Sequence, residues 1–256
     1  MTISTYPDND TNFGLEVALG NVSGYAKVNK FGKALDCDSG IPTDVWDGAD
    51  GTTSTDVWVA PTQARTHLIA STSGNDAGAG SGMQTMQVYG LADWDSAETS
   101  EVVSVGDTTA AYVIIHRIKG LTFGATGSNE GIITATATTD ATITAAIQIG
   151  DGQTLMVIYG VPSTQTLHMT KVTSGILRSV TTVTADLTLL VKENADLATA
   201  GFIGKEEYIM ASGSPVTQYY SPPKSFTGPC IVKLQVTTGS NNSQVTGAFD
   251  AYIVDN

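Results

Sequence analysis

Basic residues are scarce in this chain: Lys and Arg total 12 of 256 residues against 25 Asp and Glu, for a formal charge of −13. The cations stand singly, at positions such as Lys27, Lys30, Lys33, Arg65, Arg117 and Lys119. No basic stripe exists to neutralise a phosphate backbone, so no nucleic-acid partner is expected, nor electrostatic docking on an anionic membrane. No apolar run approaches the ~20 residues of a membrane span. The N-terminal stretch Met1-Thr-Ile-Ser-Thr-Tyr-Pro-Asp-Asn-Asp10 has neither the basic nor the apolar region of a signal peptide, and the expectation is folding in a cytoplasm. The acidic balance suits a surface kept soluble at high copy number or in a saline medium.

Cysteine and histidine are also in short supply. Cys37 and Cys230 are too far apart in sequence to argue a bridge, and two free thiols are the default. Neither they nor His67, His116 and His168 are spaced as zinc ligands. Each histidine sits in a strand-like stretch among apolar or Thr neighbours and reads as a core or sheet-face residue. No Gly-x-Ser-x-Gly elbow is present, and Gly78-Ala-Gly-Ser-Gly82 lacks the following helix and Lys-Ser/Thr of a phosphate cradle. No catalytic residue, cofactor or metal is therefore assigned.

What the chain has in quantity is Thr, Ser, Val, Ile, Ala and Gly, with charged residues at only 14%, a composition of sheets and turns. Period-two runs separated by Gly, Asn, Asp and Pro predict strands over 83–89, 111–118, 131–137, 141–149, 154–159, 165–172, 185–192, 205–210, 216–220, 230–236 and 245–254. Tight turns at Gly150-Asp-Gly152 and Gly160-Val-Pro162 make 141–172 a three-stranded meander, and Pro222-Pro223 and Gly228-Pro229 fall between strands. A helical turn can be drawn through 192–198. The expected fold is all-β: a jelly-roll-like β-sandwich, either one elaborated body or two adjoining sandwiches divided near 124–131.

Residues 1–55 read differently, with Asp, Asn, Gly, Pro and Thr dominating 36–56, and are expected to form an N-terminal arm or long loop beside a body spanning 56–256. Trp46 and Trp58 are its candidate partner-binding anchors, since large aromatics on a polar segment need a surface to bury against; a place under the edge of the same chain's sandwich serves equally. Asp36, Asp38, Asp44, Asp47 and Asp50 crowd this loop, but their spacing does not match a calcium loop and solvated acids are the commoner case. Trp94 with Asp93 and Asp95 forms a candidate glycan-contact loop. A carboxylate pairing of Glu98 with Glu101 is weakened because the two fall on opposite faces of a strand.

Lys30-Phe-Gly-Lys33 and Asp44-Val-Trp-Asp-Gly48 are followed by Pro61-Thr-Gln-Ala-Arg-Thr-His67, Gly82-Met-Gln-Thr-Met-Gln-Val-Tyr-Gly-Leu91, Gly152-Gln-Thr-Leu-Met-Val-Ile-Tyr-Gly-Val-Pro162 and Phe249-Asp-Ala-Tyr-Ile-Val-Asp255. Together these resemble a widespread family of virion structural proteins of tailed bacteriophages, many of them from marine and environmental samples. The resemblance runs from about residue 28 to the C-terminus and its motifs are strand-and-turn signatures. It implies a non-enzymatic component of the virion, made in the host cytoplasm: a capsid decoration protein, head fibre, vertex protein or tail accessory. The implied partners are the major capsid protein or other virion proteins, with a homo-oligomer, a trimer by analogy, as the expected state. A host-surface adhesin gripping a glycan is the alternative, and a glycan depolymerase a distant third.

Overall fold

The computed structural model describes residues 13–49, 56–177 and 183–256. Its elements are the short helix α1 (Phe13–Ala18) and fifteen strands: β1 (Tyr25–Cys37), β2 (Pro42–Asp44), β3 (His67–Ser71), β4 (Met83–Leu91), β5 (Thr99–Ser104), β6 (Ile114–Phe123), β7 (Ile133–Ala137), β8 (Ile143–Ile147), β9 (Ile158–Val161), β10 (Gln165–Leu177), β11 (Thr184–Glu193), β12 (Phe202–Ala211), β13 (Val216–Thr227), β14 (Cys230–Thr238) and β15 (Ser243–Asp255). The chain is all-β, in several antiparallel sheets. No helix among the described residues is long and apolar enough to cross a membrane.

Two sheets form the larger sandwich. One runs β1-β15-β10-β13; the other runs β12-β11-β14-β2, with β9 also paired to β14. Their strands alternate as a half-buried sheet must. Val245, Phe249, Ala251 and Ile253 of β15 and Leu167, Met169, Val172 and Ile176 of β10 are buried, as are Ala185, Leu187, Leu189 and Val191 of β11. Between β2 and β9 the chain leaves this body and builds a second one from β3-β7-β8 and β5-β4-β6. Its interior holds Ile69, Met83, Met86, Val88, Ile118, Ile133 and Ala135, all fully buried and continuous with the first core.

The interior of the inserted body is pinned by Asp76. Its carboxylate accepts the backbone amides of Met83 and Glu130 at 2.9 Å and Gly131 at 2.8 Å, and the Ser71 hydroxyl at 2.7 Å. The glycine-rich stretch 78–82 is the hairpin loop that folds over this carboxylate.

Several expectations need correction. The segment 25–49 is no arm: β1 pairs along its length with β15, and β2 pairs with β14, because Val28, Ala34 and Cys37 supply an inward face. The parts of the expected arm at 1–12 and 50–55 lie outside the described residues. Residues 124–131 are not a seam between bodies; they connect β6 to β7 inside the inserted one. The expected meander over 141–172 is three strands in three different sheets, β8, β9 and β10. No helix forms over 192–198: β11 runs to Glu193 and residues 194–198 are turn and bend. Finally, β13 runs straight through Pro222 and Pro223. It is an edge strand, and residues 220–223 stand opposite Thr170 where the register shifts, so no ladder bond is lost to the missing N–H.

Candidate functional site

The Asp44-Val-Trp-Asp-Gly48 stretch is where the two bodies are riveted together. Val45 donates its amide to Leu234 O at 3.0 Å and its carbonyl accepts from Val157 N at 2.9 Å, so this stretch threads between the larger sandwich and the returning end of the insertion. Asp44 is fully buried; its Oδ2 lies 2.5 Å from Lys233 Nζ and accepts the Trp58 amide at 2.8 Å, while Oδ1 accepts from Gln235 Nε2 at 2.9 Å. Burial pushes this carboxyl above its usual range, against the pull of the Lys233 ammonium. Lys233 Nζ in turn sits 4.2 Å from the centre of the Phe202 ring.

Two steps on, Asp47 Oδ2 accepts the Leu155 amide at 3.0 Å, and the Asp47 carbonyl accepts from Gln148 Nε2 at 2.8 Å. Burial raises the Asp47 carboxyl to about 7, with the amide of Leu155 opposing the rise. Two glycines of the resembling motifs are explained by the same crowding. A Cβ on Gly32 would stand 2.8 Å from the carbonyl oxygens of both Leu155 and Val45, and one on Gly48 would stand 2.1 Å from the Trp46 ring. Lys33 closes the rim with an ion pair to Asp151 at 2.8 Å.

Trp46 and Trp58 therefore do not serve as anchors for a partner. Both are 1% exposed. Trp58 donates its indole N–H to Thr144 O at 2.8 Å, and the Trp46 ring covers Gly48. The acids expected to face water or a cation are spent in separate places, Asp44 on Lys233 and Asp47 on Leu155, and among the described residues no group of three or more His, Cys, Asp or Glu could hold a metal. Cys37 and Cys230 are free and buried, which pushes both thiols up to about 12.

Nor does the Trp94 loop gather its acids around the ring. Asp93 accepts from the Asp95 amide at 2.9 Å and the Ser96 hydroxyl at 3.1 Å, and Asp95 accepts from the Ser163 hydroxyl at 2.8 Å. Trp94 turns instead toward a groove of about 590 Å³ between the bodies, lined also by Val59, Pro61, Phe202 and Lys192. Glu98 and Glu101 have separate tasks as well: Glu101 accepts the Ala110 amide at 2.7 Å, and Glu98 faces His116.

The largest cleft, about 950 Å³, lies between β1 and the inserted body and is the feature no single stretch of sequence announces. Residues 25–31 form one side; Tyr89, Glu98, His116, Arg117 and Tyr159 are on the other. Lys30 is 7% exposed and donates from Nζ to the His116 carbonyl. Burial lowers its ammonium to about 7, with Glu98 pulling the other way. His116 accepts the Gly160 amide on Nδ1 at 3.2 Å, stacks on Tyr159 at 4.6 Å between ring centres, and stands with Nε2 3.4 Å from Glu98 Oε2. Burial holds the imidazole well below its ordinary pKa, so it is neutral, and the Gly160 contact places its proton on Nε2. With its Nδ1 lone pair already engaged by the Gly160 amide, this histidine has no free site to accept a substrate proton.

Of the other histidines, His67 is fully buried with no hydrogen bond to either ring nitrogen and is lowered by burial to about 4. His168 is half-buried and shares a 2.8 Å hydrogen bond with Ser225.

Two of the edge strands of the larger sandwich, β12 and β13, carry exposed apolar side chains: Ile203 at 50%, Ile209 at 76% and Tyr219 at 70%. Between these edges, the hydroxyls of Tyr208 and Tyr220 cluster on the Glu206 carboxylate, which accepts from the Tyr220 hydroxyl at 2.8 Å and pairs with Lys224 at 2.6 Å. Polar side chains thus close the open flank of the sandwich while apolar ones face out.

No protein-family model matches this chain, and a search of the curated proteins finds no match.

Proposed function

We propose that the protein is a non-enzymatic structural component of a tailed-phage virion, decorating or stabilising the capsid or building part of a head or tail appendage through protein–protein contacts. The observation that carries this reading is how the motif residues are spent. Asp44, Trp46, Asp47, Gly48 and Gly32 carry the resemblance to virion proteins, and all of them are spent on architecture: Asp44 holds Lys233 and Gln235 within the larger sandwich, Asp47 and Gly32 meet Leu155 at the returning end of the insertion, and Trp46 packs on Gly48. A signature made of architecture is what a family selected for assembly leaves behind, whereas an enzyme family's signature gathers around a reacting atom.

Two further observations support the reading. Isoleucines and a tyrosine stand exposed on β12 and β13, where unpaired strand edges offer backbone groups to a neighbour such as the major capsid protein, another virion protein or a second copy. The largest cleft holds a neutral histidine whose lone pair is occupied.

Quantitative mass spectrometry of purified particles tests this. A copy number of the same order as the major capsid protein identifies a lattice-wide decoration protein. A small fraction identifies a vertex, fibre or tail site. Complete absence from the particle overturns the proposal.

A further inference from the structure

The cleft beside β1 combines three features. First, β1 is an edge strand, with β15 its only ladder partner among the described residues. The amide of Lys33 points away from β15 to Leu155 O at 3.4 Å. With a two-residue period, the amides of Lys27, Asn29 and Phe31 point to the same side, which is the cleft side, and no hydrogen bond reaches them among the described residues. Second, a buried cation in the cleft is under-used. Lys30 Nζ has the His116 carbonyl as its acceptor and, among the described residues, no carboxylate within ion-pair distance, while the neighbouring His116 Nε2 has Glu98 Oε2 at 3.4 Å. Third, the charge is locally reversed. Lys30 and Arg117 face a single acid, Glu98, in a chain whose formal charge is −13. Partial burial raises the Glu98 carboxyl, with Lys30 and Arg117 opposing the rise.

We infer that this cleft receives an extended, acidic peptide segment of a partner protein, which adds as a strand to the free edge of β1 at Lys27, Asn29 and Phe31 and seats a carboxylate against Lys30. Strand addition supplies main-chain hydrogen bonds of no sequence preference, and the charged seat supplies the selectivity. Tyr89 and Tyr159 line the side of the cleft that faces β1. The inference rests on the reading of the protein as one that works by protein contacts, and it names the chemistry of one such contact.

The test uses the full chain, 15N-labelled, titrated with acetyl-Thr-Val-Asp-Val-Thr-amide and with the same peptide carrying Asn in place of Asp. The expected result is a shift of the Lys27, Asn29 and Phe31 amide signals with the Asp peptide, and binding of the Asn peptide weakened roughly tenfold by loss of a charge-assisted hydrogen bond. Lys30→Met weakens the Asp peptide by a similar factor, and Lys30→Arg, which keeps the charge, restores part of it. Lys27→Pro removes an amide that no ladder uses, a change edge strands tolerate, and abolishes the peptide-induced shifts.

Unmoved amide signals with the Asp peptide, or equal binding of the Asp and Asn peptides, overturn the inference. So does glucuronate producing the Asp-peptide shifts in a manner indifferent to Lys27→Pro, since the cleft would then be a small-acid pocket. Peptide binding and particle composition are separate readouts. Lost peptide binding by a protein found on the particle sinks this inference alone, and intact peptide binding by a protein missing from the particle sinks the virion proposal alone.

Discussion

The junction between the two bodies and the β12–β13 flank are made of opposite materials. At the junction, charged groups are buried: Asp44 against Lys233, Asp47 against the Leu155 amide, with Trp46 and Trp58 sealed over them. On the flank, Ile203, Ile209 and Tyr219 face outward while Glu206, Lys224 and two tyrosine hydroxyls fill the inside. Charge inside and apolar surface outside both run against the ordinary arrangement. The first is tolerated because Asp44 is paired with Lys233, and because burial holds the Asp47 carboxyl at about 7, where it is partly protonated. The second has no such compensation among the described residues, and under the proposed function it is the surface that a partner covers. Buried polar groups here specify how one body sits on the other, and exposed apolar ones specify what the whole meets.

Substitutions break this contrast in a graded way. The largest expected loss is Asp44→Ala, which strands the Lys233 ammonium in the core and costs about 3–5 kcal/mol in a urea unfolding titration. Adding Lys233→Met recovers much of that cost, because replacing both partners removes the stranded charge. Asp76→Ala, in the interior of the inserted body, leaves the amides of Met83, Glu130 and Gly131 without an acceptor and costs a similar amount. Gly48→Ala forces its methyl into the Trp46 ring and costs about 1–3 kcal/mol, measured as a lowered unfolding midpoint.

Asp47 sharpens the comparison through pH. Its folded-state pKa, about 7, lies above the unfolded value of 3.8, so its contribution is fully present below pH 3.8 and is lost as pH rises through 7. Asp47→Asn keeps an oxygen for the Leu155 amide and removes the titration. The variant is predicted to gain on the order of 2 kcal/mol over the parent at pH 8 relative to pH 5, and a constant difference between those pH values contradicts the assignment. The smallest effect on stability belongs to the flank. Ile203→Lys and Ile209→Lys should stay within about 0.5 kcal/mol of the parent, since both side chains are exposed.

Strands with clean alternation were legible in the sequence. β11, β14 and β15 were expected at nearly their observed limits because Leu, Val, Ile and Phe mark their buried faces, whereas β10 was expected to end at 172 and runs on to Leu177 through Thr173, Ser174 and Gly175. β1 was not, because its inward face is Val28, Lys30, Gly32 and Ala34, and a lysine and a glycine erase the apolar period. β9 misled for the opposite reason. All four of its residues are buried, so periodicity could not show that it belongs to a different sheet from β8 and β10. Trp46 and Trp58 were expected to seek an outside surface because their neighbours are acids, yet Asp44, Asp47 and Asp56 are themselves buried. The β1 cleft joins Lys30, Glu98, His116 and Tyr159 from four separate strands and loops, and such a site has no local spacing to read. An isolated buried-face lysine in an edge strand was its one sequence trace.

The central claim is that the β12–β13 flank is a contact surface within a particle. Placing a photo-crosslinking amino acid at position 209 and irradiating assembled particles tests it directly. The account predicts a covalent adduct with another virion protein or a second copy of this chain, lost when the crosslinker is moved to the buried position 187. Particles that contain the protein and yield no adduct from position 209 would contradict it.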